Sequence, residues 1–284
     1  MNDIRGDKLY VALTFDIDGE TLWTSRDKIN RIGPVLLSQG YYGPETGVPR
    51  ILKLLKAHNL PATFFITGYA ADTYPDICKT IVDAGHEIGH HNYAHEWPPR
   101  TAPAEERAAF EKGLDSLTRL TGKQPEGYRA PGWEFSDITF DLLKEFGMAY
   151  SSNMMDDEFA YQHTEGGQPT GIWELPCSWI LDDAAFFMYG LTYGPPQYPT
   201  GPVLDLWNSE FDGMYAEGDG RVYVLTMHPQ FIGRSSRIAM LNEFITRIKD
   251  KPGVVFTGCG DYVRKLRQAD SPRRRDYDRR KKPV

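Results

Sequence analysis

Apolar residues run almost unbroken from Leu9 to Phe15, which predicts a strand buried on both faces. The next stretch, Gly19 to Glu45, is polar and too long for a mere connection, so it reads as a lid or pocket wall. Thr46 is placed to cap a helix over residues 48–58, with Pro49 early in it and apolar positions at 48, 51, 52, 54 and 55. Residues 62–67 predict a second buried strand and 75–84 a helix stopped by Gly85. A third strand then begins at Glu87-Ile88.

The alternation persists to the end. Helices are expected over 104–120, over 136–146 with Ser136 as cap, over 203–216 and over 237–249. Strands are expected at 128–129, 149–153, 172–175, 222–227 and 254–257. About eight β-then-α units of this kind predict an α/β fold, a parallel (β/α) barrel forming a single domain over 1–271. In such barrels chemistry sits at the carboxyl ends of the strands. There the pattern places Asp16 and Asp18, His91 and His95, Arg129 to Trp133, Trp179 to Asp183, and His228.

Composition narrows the class. Apolar and charged fractions of 40% and 25% are those of a water-soluble globular domain, and a net charge of −7 gives no reason to expect nucleic acid. The basic end, 272–284, is expected to be a disordered solubilising tail or an oligomer contact. No signal peptide or membrane-spanning run is read, so a cytoplasmic protein without membrane partners is expected. Cys78, Cys177 and Cys259 are odd in number and far apart, which predicts buried packing thiols.

Four of the seven histidines fall between His86 and His95. His91 and His95 are four apart, and on one helical turn their imidazoles would point the same way. Asp16 and Asp18 flank a single residue, so on an extended chain both carboxylates face one side. One of them with the two histidines completes a three-ligand site with open positions, suited to a catalytic zinc or similar divalent ion. The other carboxylate is then free to act as a base. An iron oxygenase uses the same ligand types but usually sits on an all-β barrel, and a purely structural metal would not need the further polar residues of the rim.

Thr14-Phe15-Asp16-Ile17-Asp18-Gly19, His91-Asn92-Tyr93-Ala94-His95, Arg129-Ala130-Pro131-Gly132-Trp133 and Leu225-Thr226-Met227-His228 together resemble the polysaccharide deacetylase (NodB homology) family, in the same order. Tyr42-Gly43, Gly47 to Arg50, Leu175 to Asp183, His228-Pro229 and Gly233-Arg234 resemble its branch of peptidoglycan deacetylase-like proteins, cyclic imide hydrolases and allantoinases. The resemblance implies a distorted barrel of the NodB type. It implies Asp16 as catalytic base, Asp18, His91 and His95 as metal ligands, Arg129 as the partner that orients the base, and His228 as general acid. A backbone N–H near Tyr93 or Ala94 would hold the oxyanion, Trp133 and Trp179 would wall the pocket, and Asp182 and Asp183 could hold His228 or touch substrate. His86 and His90 match no ligand position. The family's commonest first motif has adjacent aspartates, whereas Ile17 separates them here.

The reaction implied is hydrolysis of a non-peptide carbon–nitrogen bond, either of an N-acetyl sugar or of a small cyclic amide or imide. Long loops at 19–45 and 189–201 favour a partly enclosed pocket and a small substrate, and a homo-oligomer is expected from the branch resembled.

Overall fold

Every residue of β1 (Leu9–Ile17) is buried, and the rest of the molecule is assembled on this strand. The computed structural model describes residues 8–25, 32–189, 197–218, 220–268 and 272–280. The other strands are β2 (Thr63–Ile66), β3 (Glu87–His90), β4 (Gly127–Tyr128), β5 (Tyr150–Ser151), β6 (Tyr161–Glu165), β7 (Gln168–Glu174), β8 (Arg221–Met227), β9 (Val254–Phe256) and β10 (Arg274–Asp276). They form one sheet in the order β10-β6-β7-β5-β4-β3-β2-β1-β8. All pairs are parallel except the β6–β7 hairpin. On its second edge β1 is shared: Leu9–Val11 pair with β9, and Thr14–Ile17 with β2.

Side-chain alternation sorts the core into an inside and an outside. Leu9, Val11, Leu13, Phe15 and Ile17 of β1 pack outward with Tyr223, Leu225 and Met227 of β8. The opposite set, Tyr10 and Ala12 with Phe65, Val222 and Val224, packs inward. Continued upward in steps of two, the inward set becomes Thr14, Asp16 and Asp18 on one strand and Thr226 and His228 on the other. The barrel interior is therefore apolar at the amino ends of the strands and polar at their carboxyl ends.

Among the described residues no ladder joins β7 to β8; a single parallel bridge, Asp182 to Thr226, spans that side. The barrel is thus distorted, as the resemblance implies. The helices are α1 (Thr21–Thr24), α2 (Pro34–Tyr42), α3 (Val48–His58), α4 (Gly68–Thr73), α5 (Pro75–Asp83), α6 (Pro103–Thr121), α7 (Thr139–Glu145), α8 (Ala184–Phe187), α9 (Thr200–Glu217), α10 (Pro229–Ile232), α11 (Ser235–Ile248) and α12 (Cys259–Leu266). The outward β1 cluster takes Ile51 and Leu55 of α3, Trp207 and Phe211 of α9, and Leu241 and Phe244 of α11.

Several local expectations are corrected. The stretch 19–45 is not simply a polar loop: α1 and α2 lie in it, while 26–31 fall outside the described residues. Thr46 caps nothing, because a π-helical turn, Gly43–Gly47, runs α2 directly into α3. That turn packs on α10 so closely that a Cβ on Gly47 would sit 2.3 Å from the Pro229 carbonyl oxygen, a contact only glycine allows. The hairpin β6–β7 begins earlier than the strand expected at 172–175, and β6 was not expected. Of the basic end, β10 pairs with β6, Arg275 bonds Asp157 at 2.5 Å and Tyr277 stacks on Phe140 at 3.8 Å, while 281–284 lie outside the described residues. Of the loop 189–201, residues 190–196 lie outside the described residues, and α9 begins at Thr200.

Candidate active site

His91 and His95 are not on a helix. They sit on the turn that follows β3, where Asn92 and His95 adopt positive φ values of 56° and 57°. Left-handed backbone at non-glycine residues costs about 1–3 kcal/mol and persists only where surrounding structure enforces it. Here the enforcement is packing and hydrogen bonding. The Asn92 side chain donates to Glu96 O at 3.1 Å and accepts from Tyr128 Oη at 3.1 Å, and α6 meets this turn at Gly113. The result turns both imidazoles toward Asp18: His91 Nε2 lies 3.3 Å and His95 Nε2 4.0 Å from Asp18 Oδ1.

Asp18, His91 and His95 are all buried. Asp18 Oδ1 and His91 Nε2 have no hydrogen-bond partner although they face each other. A buried polar pair left in this state is costly unless a cation lies between the atoms. Ligand atoms around a tetrahedral zinc ion lie ~3.3 Å apart, so this donor set fits one divalent ion. The far ring nitrogens are oriented as ligands require: His91 Nδ1 bonds the Arg129 carbonyl oxygen at 2.7 Å, and His95 Nδ1 is 3.1 Å from Ser25 Oγ. Burial disfavours the Asp18 carboxylate. His95, His91 and His228 outweigh this and hold its pKa well below the ordinary range.

Asp16 is separated from this set by its partner. Arg129 is fully buried in the barrel interior, with its guanidinium carbon 4.2 Å from the Phe65 ring centroid. Its Nη1 donates to Asp16 Oδ1 and Thr14 Oγ1, both at 2.8 Å, and its Nη2 to Ser152 Oγ at 2.9 Å. Burial works against the arginine's charge, but Asp16 more than offsets it. Asp16 Oδ2 is 4.0 Å from His91 Nε2.

Across the cleft His228 directly follows β8. Its Nδ1 and backbone N–H both meet the Asp183 carboxylate, at 2.7 and 3.0 Å. Burial alone would lower its pKa, but Asp182 and Asp183 raise it to about 10, which favours the charged ring. Burial in turn pushes Asp182 up to about 7, against the pull of His228. The two adjacent aspartates therefore divide their roles: Asp183 holds His228, while Asp182 accepts the Ala184 N–H and lines the cleft. This trio has ligand-type atoms close enough for a metal, yet Asp183 is already committed to hydrogen bonds.

The cleft has a volume of about 180 Å³. Asp16, His91, His95, Asp182 and His228 form its polar floor, and Leu22, Trp133, Trp179, Ala185 and Met188 its walls. Trp133 and Trp179 stack at 4.5 Å between ring centroids. A cavity of about 210 Å³ at the opposite ends of the strands holds Glu87. That carboxylate is spent on the Gly260 N–H, Thr63 Oγ1 and Tyr150 Oη, which makes it a helix cap.

The Tyr93 side chain does not line the cleft. Its ring lies beneath Lys112 Nζ at 3.5 Å and against Gly68, because the turn sends it outward over α4 and α6. The Ala94 N–H is taken by Glu96 Oε2 at 2.8 Å. His90 packs between Phe110 and Tyr128 and is driven neutral by burial, its pKa lowered to about 3. Sequence reasoning missed Ser25, Ser152 and Gln230, whose Nε2 is 3.4 Å from Asp18 Oδ2. Only the polar run Ser151-Ser152-Asn153 at a strand end carried any signal for one of them.

The sequence profile of the polysaccharide deacetylase family matches residues 3–151. A peptidoglycan deacetylase of Helicobacter pylori is 32% identical over 272 residues, spanning 87% of this chain and 92% of that one. A crystal structure from Mycobacterium smegmatis, assigned to the polysaccharide deacetylases, superposes with a TM-score of 0.86 at 35% identity, covering 96% of this chain and 94% of that one. Puue allantoinase superposes with a TM-score of 0.80 at 26% identity, covering 93% and 92%.

Proposed function

Because this chain belongs to the polysaccharide deacetylase family and is a hydrolase of carbon–nitrogen bonds other than peptide bonds, we propose that it removes an N-acetyl group by attack of an activated water. The reading includes one divalent ion, zinc by its donor set, held by Asp18, His91 and His95. What carries it is the pair Asp18 Oδ1 and His91 Nε2, buried and unpartnered at 3.3 Å, beside an Asp16 held out of the ligand set by Arg129.

A bound divalent ion supplies polarisation of the amide carbonyl and acidification of a water molecule. Asp16, anchored through Oδ1, takes a proton from the attacking water. Arg129 fixes the carboxylate's orientation from inside the barrel. The Tyr93 N–H, which has no acceptor among the described residues, is the amide assigned to the oxyanion. An amine leaves poorly unless protonated, and His228, charged and held through Nδ1, donates from Nε2. Trp133 and Trp179 offer a flat apolar wall to a sugar or other ring, and Asp182 accepts a hydrogen bond from it.

A second reading, hydrolysis of a small cyclic amide or imide, is favoured by one observation. At about 180 Å³ the cleft is smaller than the ~300–1,000 Å³ usual for ligand pockets. Three buried free cysteines fit a reducing, cytoplasmic setting, and exposed Tyr189, Tyr198 and Ile180 near the mouth fit a homo-oligomer. The test is a panel of N-acetylglucosamine oligomers, dihydrouracil, hydantoin, succinimide and allantoin, assayed before and after complete chelation. Acetate release that disappears with the metal and returns with zinc supports the first reading. Ring opening alone selects the second. Full activity without metal removes the metal from both.

A further inference from the structure

A chain of buried hydrogen bonds, made by residues that do not line the cleft, leads to Arg129. Glu174, fully buried at the end of β7, accepts the backbone N–H groups of Asn153 and Met154 through Oε1 at 2.6 and 3.0 Å. Its Oε2 is held by His163 Nε2 at 2.9 Å. Asn153, also buried, passes the constraint on: its Oδ1 accepts the Ala130 N–H at 2.7 Å, and its Nδ2 donates to Ser151 Oγ at 2.9 Å. Between them Ser152 receives the guanidinium itself, Nη2 on Oγ at 2.9 Å and Nε on the carbonyl oxygen at 3.3 Å.

The peptide unit pinned by Asn153 joins Arg129 to Ala130, and it serves both halves of the site. The Arg129 side chain reaches Asp16 Oδ1 at 2.8 Å, while the Arg129 carbonyl oxygen holds His91 Nδ1 at 2.7 Å. One short segment therefore sets where the base stands and how one ligand imidazole is turned. That segment follows the two-residue β4, whose ladders to β3 and β5 comprise three residue pairs in all. Beyond it the Arg129 N–H still bonds the His90 carbonyl oxygen at 3.0 Å, and the side-chain bonds of Asn153 and Ser152 add to the hold on the segment.

We propose that Asn153 and Glu174 are positioning residues for hydrolysis, acting through the Arg129–Ala130 peptide on Asp16 and His91 together. The inference rests on the roles given above to Asp16 and His91. Outer-shell partners of metal ligands typically contribute 10–100-fold to affinity or activity, and this chain of bonds reaches the base as well.

The experiment compares Asn153→Ala, Glu174→Ala and Glu174→Gln with the parent and with Leu142→Ala, a core truncation in α7 matched for thermal stability. Acetate release from N-acetylglucosamine oligomers gives kcat and KM at 25 °C, and competition with a chelating dye gives the zinc dissociation constant. Asn153→Ala is expected to lower kcat 10–100-fold with KM within about two-fold, and to weaken zinc binding about ten-fold. Glu174→Gln, which keeps an oxygen for the two amides, is expected to recover most of what Glu174→Ala loses. Leu142→Ala is expected to keep both quantities. If Asn153→Ala and both Glu174 variants retain kcat and zinc affinity within two-fold while Asp16→Asn is inactive, the positioning role is wrong and the proposed chemistry stands. The role also fails if Leu142→Ala loses as much as they do, because lost stability would then explain the effect. If Asp16→Asn is itself fully active, the proposed chemistry fails and the positioning role falls with it.

Discussion

Replacing Asp183 by asparagine isolates the charge that holds the proton on His228. The carboxylate is fully buried and receives both Nδ1–H and the backbone N–H of His228. Raising an imidazole from 6.5 to about 10 corresponds to about 5 kcal/mol in favour of its charged form, at 1.36 kcal/mol per pH unit. Asp182, 3.6 Å from the ring, shares that stabilisation with Asp183, so removing one carboxylate should cost about 2 kcal/mol. In the metal-free protein, NMR of the His228 ring nitrogens should then show its titration midpoint falling by about 1.5 pH units. Stability follows the same proton. His228 binds it more tightly folded than unfolded, so the contribution is complete below about pH 6.5 and vanishes as pH rises toward about 10. Urea denaturation should accordingly find the deficit of Asp183→Asn level below about pH 8 and shrinking to little by about pH 10. A native His228 titrating near 6.5, or a midpoint unmoved by the substitution, would refute the reasoning.

His91→Ala and Asp18→Asn should both lose bound divalent metal after dialysis, measured by elemental analysis, along with activity. Asp16→Asn should keep the metal and lose activity by about 10²–10⁴-fold; if it strips the metal as Asp18→Asn does, the two carboxylates are wrongly assigned. Tyr277→Ala should cost about 2–4 kcal/mol in urea unfolding, since the ring is buried and stacked on Phe140 at 3.8 Å; a change below 0.5 kcal/mol would show that the C-terminal segment is dispensable. Short acetylated compounds or small cyclic amides should be turned over faster than insoluble chitin or peptidoglycan. Efficient acetate release from polymer alone would overturn that expectation.

Much of the barrel was legible because its cause is local. A strand buried on both faces must be apolar throughout, so Leu9 to Phe15 and Val222 to Met227 announce themselves, and alternation alone puts Asp16 and Asp18 on one side. Two helices, α6 and α7, end where Gly122 and Gly147 permit a left-handed turn. Short elements were not legible. β6 and β10 were not expected, and β10 exists because Tyr277 and Arg275 find partners on β6 and its approach.

The candidate site divides in the same way. Its residue types and their order are properties of the chain, and they were sufficient to group Asp18, His91 and His95. How the histidines converge was not: a helical turn was the simplest geometry for a spacing of four. The observed turn instead needs positive φ at Asn92 and His95, held by Glu96, Tyr128 and the close pass of α6 at Gly113. Only the folded chain decided that Asp183 and not Asp182 holds His228, that Tyr93 turns away from the cleft, and that Asn153 underpins Arg129. Each of these depends on which buried polar atom reaches which partner, and residues 45 or 23 positions apart in sequence meet only when the barrel closes around them.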